Sequence, residues 1–257
     1  DNKIPIATAI LASKTRSYQS LLYKADGYNN LLNTTADPTQ RESFLEQAIV
    51  TSMLAKDLAP NEPGAYYLLS VFYSLKNDRE NTLKYIKEGL AIEDLEEDRK
   101  LSLFVGAGAA LVRLGDYDMA MGYFKQATDL DDTNPALLKS LGALYLEQGE
   151  YDNALNMFNK AIDLAEEDEA KVDLLFDRGL THLRLGNFEK AEDDFDDAYD
   201  RAPEDIGVLF GFATALEKVG RWRKARSFYM ELIDVDPNNA SYYYGVYSTY
   251  FNEGRLE

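Results

Sequence analysis

A single histidine, His182, and the absence of cysteine leave little from which nucleophilic or acid–base chemistry could be built in a chain of 257 residues. Without thiols there are no disulfides, no cysteine nucleophiles and no thiolate metal sites, so a Ser-His-Asp type of relay would have to use His182. The sequence places no serine or acid to make that imidazole a general base. Instead His182 falls in a column with Tyr73, Leu111, Tyr145 and Leu216, which predicts a core position. Carboxylates are abundant, and the stretch 163–205 carries sixteen Asp and Glu against five Lys and Arg. A calcium loop needs alternating oxygen ligands, a glycine at its turn and a late bidentate Glu. Asp193-Asp194-Phe195-Asp196-Asp197 instead reads as mid-helix, where neighbouring carboxylates point different ways. A solvated acidic face is the expectation, with a dock for a basic partner as its functional alternative. Gly106-Ala107-Gly108 has neither the preceding strand nor the Lys-Ser/Thr ending of a phosphate loop. The sequons at Asn33 and Asn239 are chance-level matches. No catalytic residue, metal or cofactor is assigned, and the chain reads as a protein without enzymatic activity.

Charge narrows the partners. The 27 Lys plus Arg against 45 Asp plus Glu give a formal charge of -18, a field that repels phosphate backbones and anionic lipid head groups. Nucleic acid is therefore excluded as a partner. Charge-free helical runs such as Leu101–Val112 fall far short of the roughly 18–20 residues a spanning helix needs, so direct membrane insertion is not expected either. The chain begins at Asp1 without a basic or apolar leader, which predicts that any targeting segment has been removed. Together with the acidity and the missing cysteines, this leans the expected location toward a bacterial periplasm or cell envelope, with the cytoplasm as the alternative.

The elements that position these residues are set by a repeat. Gly115, Gly149, Gly186, Gly220 and Gly254 each follow an apolar helical pattern, at spacings of 34, 37, 34 and 34 residues. Such glycines fit the position just past a helix C-terminus. Small residues recur in the first helix of each frame (Ser70, Gly108, Gly142, Gly179, Ala213). Alanines recur in the second (Ala120, Ala154, Ala191, Ala225; then Ala127, Ala161, Ala198). Large residues fill complementary columns, among them Phe124, Phe158, Phe195 and Tyr229, as knobs for the small-residue holes. Asn77 stands where the first full frame would have its turn glycine, a choice open to asparagine because it also visits the left-handed region. Extra residues at Glu97–Lys100 and Glu169–Lys171 are expected to lengthen helix ends. Upstream, Ile4–Tyr23 and Arg41–Leu58 read as a helical pair joined by a loop around Asp26–Thr35, with Asp37 capping the second helix.

The period and columns together resemble the tetratricopeptide repeat (TPR) family over about three quarters of the chain. The resemblance implies an all-α fold, a right-handed superhelical solenoid of antiparallel helix pairs. The expected divisions are 1–62 as a diverged N-terminal pair and 63–239 as five repeats (63–96, 101–134, 135–168, 172–205, 206–239). Residues 240–257 follow as the first helix of a truncated or capping repeat. It also implies a non-catalytic scaffold or adaptor that binds a protein segment in a concave groove lined by first helices. By the family's geometry the groove places are Tyr67, Val71, Val105, Ala109, Val112, Lys139, Ala143, Leu146, Phe176, Leu180, Phe210, Thr214 and Tyr244. The two-carboxylate clamp of chaperone-binding members is absent, because its matching places hold Ala143, Asp177 and Asp173. The apolar lining, with Gly106, Gly211 and Gly245 beside the aromatics, suits a hydrophobic or amphipathic segment. The alternative is self-association into a homo-oligomer through the tyrosine-rich end, Tyr243, Tyr247 and Tyr250, or through opposed charged faces. In the latter the basic Arg221, Arg223, Lys224 and Arg226 either meet the acidic 193–200 helix within the stack or drive head-to-tail contacts.

Overall fold

In the computed structural model the backbone of residues 3–254 and the side chains of residues 13–254 are described. Residues 1–2 and 255–257 of the expected terminal elements lie outside them. The described residues form thirteen helices and no strand, an all-α array of antiparallel pairs divided into two compact units, residues 1–131 and 132–257.

The first unit holds α1 (Lys3–Thr34), α2 (Pro38–Leu58), α3 (Pro63–Leu75), α4 (Arg79–Leu90), α5 (Glu97–Arg113) and α6 (Tyr117–Leu130). One expectation is corrected here: the loop around Asp26–Thr35 does not exist, because α1 continues to Thr34. Gly27 costs helix propensity but does not break the helix. Tyr18, Ala25 and Leu32, seven residues apart, remain buried along α1 and carry its seam across the glycine. Asp37 then starts α2 as expected, its carboxylate accepting from the Thr39 N–H at 2.9 Å, with Pro38 at the first helical position. Asn77 takes the left-handed conformation, φ 58°, that the turn demands. Arg79 and Arg99 tie neighbouring pairs by ion pairs to Asp116 (2.5 Å) and Glu62 (2.8 Å).

The second unit holds α7 (Pro135–Glu147), α8 (Tyr151–Leu164), α9 (Asp168–Leu185), α10 (Phe188–Arg201), α11 (Ile206–Lys218), α12 (Trp222–Val235) and α13 (Ala240–Asn252). Both inserted segments become helix: α5 begins at Glu97 and α9 at Asp168. Of its first helices, α7, α11 and α13 start on side-chain caps, Asn134, Asp205 and Asn239 accepting from backbone N–H groups of the first turn, whereas α9 follows Glu167 without one. They end on glycines such as Gly186, at φ +76°, where the Asn187 N–H returns to the His182 carbonyl at 2.9 Å.

Packing follows the small and large columns. Phe195, fully buried, lies between two glycines: a Cβ at Gly179 in its own pair would come within 2.9 Å of the ring, and one at Gly211 in the next pair within 2.5 Å. One ring thus locks two successive pairs, and its burial alone contributes about 2–3 kcal/mol. Among the described residues no helix is long and apolar enough to cross a membrane.

Candidate functional site

Within each unit the second helices α2, α4, α8, α10 and α12 are occupied on both sides, each packing on its own first helix and on the next. The exposed apolar side chains of interest therefore stand on the faces of first helices. In the first unit Tyr67 on α3 is 37% exposed, and one edge of its ring covers Gly106. Val112 and Ala109 on α5 are exposed, while Val71 and Val105 are half-buried. A cleft of about 420 Å³ opens where Tyr67 and Leu68 meet Leu22, Tyr23 and Asp26 of α1.

In the second unit Lys139, Ala143 and Leu146 on α7 and Leu180 on α9 are half-buried. Phe176 is held edge-on against Phe195, ring centroids 5.8 Å apart, so it belongs more to the core than to the surface. Phe210 stays 36% exposed and Tyr244 71% exposed, on opposite lips of a cleft of about 480 Å³ between α11 and α13. Thr214 lines the same cleft and spends its hydroxyl on the Phe210 carbonyl, 2.8 Å away.

The three glycines expected to leave room beside these aromatics do not. Gly106 is covered by Tyr67, Gly211 by Phe195 and Gly245 by Tyr229, so the chain fills those spaces with its own rings. The sequence could not show this, because the filling ring comes from the preceding pair.

Electrostatics on this face are set by α7 and α9. Lys139 pairs with Asp173 and stands near Asp177, whose carboxyl burial pushes up to about 6, Lys139 partly opposing the shift and Asp173 adding to it. The acidic α10 is not a uniformly solvated face. Asp194 is buried and takes a two-point grip from Arg178, at 2.5 Å and 3.0 Å, while Asn159 accepts from the other guanidinium nitrogen. Glu192, also buried, pairs with Arg221 at 2.5 Å, and Asp196 lies 3.6 Å from Lys224. The basic α12 and acidic α10 thus satisfy each other within the stack at those residues. Arg223 and Arg226 instead reach Glu253, at 3.1 Å and 2.6 Å. His182 is 8% exposed with its Nε2 4.0 Å from Asp194, and burial lowers its affinity for a proton. No group of three or more His, Asp or Glu among the described residues is arranged to hold a metal ion.

At the end of α13, Tyr243, Tyr247 and Phe251 form an exposed stripe at four-residue spacing. Tyr250 does not join it: the Arg226 guanidinium lies over its ring, 3.7 Å from the centroid, so that tyrosine is an internal contact.

Family models described as tetratricopeptide repeat match residues 103–136, 132–204 and 182–248. Among curated proteins none matches the chain. Solved structures do. A chain of the APC/C Cut9–Hcn1 hetero-tetramer superposes with a TM-score of 0.68 at 14% identity, covering 96% of this chain but only 46% of that one. PilF of Pseudomonas aeruginosa gives 0.67 at 16% identity, over 90% of this chain and 96% of that one. YrrB, described as a TPR protein with an unusual peptide-binding site, gives 0.53 at 23% identity over 76% and 95%. At such identities these likenesses bear on the fold alone.

Proposed function

Because the chain belongs to the tetratricopeptide-repeat family, we propose that it is a non-catalytic scaffold or adaptor that holds a hydrophobic or amphipathic segment of a partner protein on the face of its first helices. The observation that carries this reading is the cleft between α11 and α13. Phe210 and Tyr244 remain exposed on its lips, whereas Phe212 and Tyr242 of the same two helices are buried. Large rings held open to water beside a concavity are the anchors that peptide grooves use. Tyr67 and its cleft repeat the arrangement in the first unit. His182, buried among structural groups, has no part in it. The acidity and lack of cysteine suit a periplasmic or envelope location, which fractionation of the native source would test.

The test is affinity capture from the native source with wild type and with Tyr244→Glu. Tyr244 is exposed enough that the substitution leaves helicity and thermal stability unchanged, and the reading requires that a protein captured by wild type be lost from the variant. Identical captured sets would refute it. A second reading rests on the stripe Tyr243, Tyr247 and Phe251, which fits self-association. Sedimentation equilibrium decides it: a mass that rises with concentration and falls to the monomer in Tyr247→Glu supports that reading, and a monomer throughout dismisses it.

A further inference from the structure

Resting on the groove reading above, we infer that the cleft between α11 and α13 selects a basic, aliphatic segment: a Lys or Arg whose cationic head is received by Glu217 and whose stem and apolar neighbours lie on Phe210 and Tyr244. Glu217 lines the cleft as a half-buried carboxylate. Its two oxygens are fixed by hydroxyl donors, Ser248 to Oε1 at 2.5 Å and Tyr229 to Oε2 at 3.1 Å. Neither donor carries charge, and no Lys or Arg among the described residues pairs with it. Each oxygen keeps acceptor capacity, so an incoming ammonium or guanidinium meets a pre-oriented acceptor rather than a swinging side chain. Lys218 also lines the cleft, but it is exposed on a flexible stem and can turn its head to water.

The aromatic lips complete the match. A Lys or Arg stem is apolar and its head is attracted to ring faces, so Phe210 and Tyr244 suit the same side chain that Glu217 would hold. The formal charge of -18 draws a basic segment in and opposes an acidic one.

The probes are three labelled, end-blocked helical 14-residue peptides, composed of Leu and Lys, Leu and Glu, or Leu and Gln. Each is titrated with the full chain by fluorescence anisotropy at 0.15 M salt. The Leu/Lys peptide binds tightest, and Glu217→Gln weakens it roughly tenfold or more, as expected for losing a charge-assisted hydrogen bond. Glu231→Gln, an exposed acid of α12 outside the cleft, leaves it unchanged. Equal effects of Glu217→Gln and Glu231→Gln, or none from either, would mean general attraction to an acidic protein and would overturn the inference. A second variant, Tyr244→Ala, separates the two levels. If peptides are weakened by Tyr244→Ala but not by Glu217→Gln, the groove stands and the basic preference falls. If Tyr244→Ala weakens none, both fall. Circular dichroism of each variant confirms that folding is intact.

Discussion

Replacing Asp177 by Asn should stabilise the protein at neutral pH. The carboxyl is pushed from 3.8 up to about 6 in the fold, chiefly by burial, with Asp173 adding to the effect and Lys139 opposing it. A raised folded value means that the folded chain holds the proton more tightly than the unfolded chain does. The associated stability is therefore fully present below pH 3.8 and is lost as pH rises through about 6. A shift of about two units corresponds to roughly 3 kcal/mol at most. Because Asp177 is only partly buried, solvent reduces this to about 1–2 kcal/mol. An amide of the same shape cannot ionise and escapes that cost. Urea denaturation of wild type and Asp177→Asn at a series of pH values measures the difference directly, and contributions common to both chains cancel. The stability gap should be near zero at pH 3.5 and open to about 1–2 kcal/mol by pH 7.5 in favour of the variant. A gap that does not change with pH, or a variant less stable at pH 7.5, would refute the reasoning.

Three further outcomes follow from the same geometry. Arg178→Ala strands the buried Asp194 and should cost about 3–5 kcal/mol in denaturation, whereas Arg178→Leu combined with Asp194→Leu should recover most of it. Gly211→Ala drives a methyl to within 2.5 Å of the buried Phe195 ring and should lower stability by about 1–3 kcal/mol, visible as a reduced Tm. The only histidine makes its titration easy to follow by proton NMR. Burial outweighs Asp194, so the His182 midpoint should fall below 6.5, and its contribution to stability, present above that value, should be lost as pH falls through the lower folded midpoint.

Much of this fold is legible because its determinants are local. A glycine at positive φ, a cap residue and a small column at fixed spacing each report on a few neighbouring residues, and Gly186, Asn134 and Gly179 do what their types suggest. The Asp26–Thr35 stretch was less legible: Gly27 and the polar residues around it look like a loop, yet Ala25 and Leu32 continue a seam that only the packed partner α2 reveals. The site divides the same way. Exposure of Phe210 and Tyr244 follows from their frame positions. The covering of Gly211 by Phe195 and the pairing of Arg178 with Asp194, by contrast, join residues sixteen apart on different helices. Spacing alone carries no record of such contacts. Nor does it distinguish Tyr250, held under Arg226, from the free stripe beside it.

The central claim is that partners are held on the first-helix face. It is tested most directly by placing a photo-crosslinking residue at position 244, in the cleft, and separately at position 230, exposed on α12 away from that cleft. Crosslinks to a partner protein in the native source are expected from position 244, and none to that partner from position 230. Crosslinks of equal yield from both positions, or from position 230 alone, would contradict it.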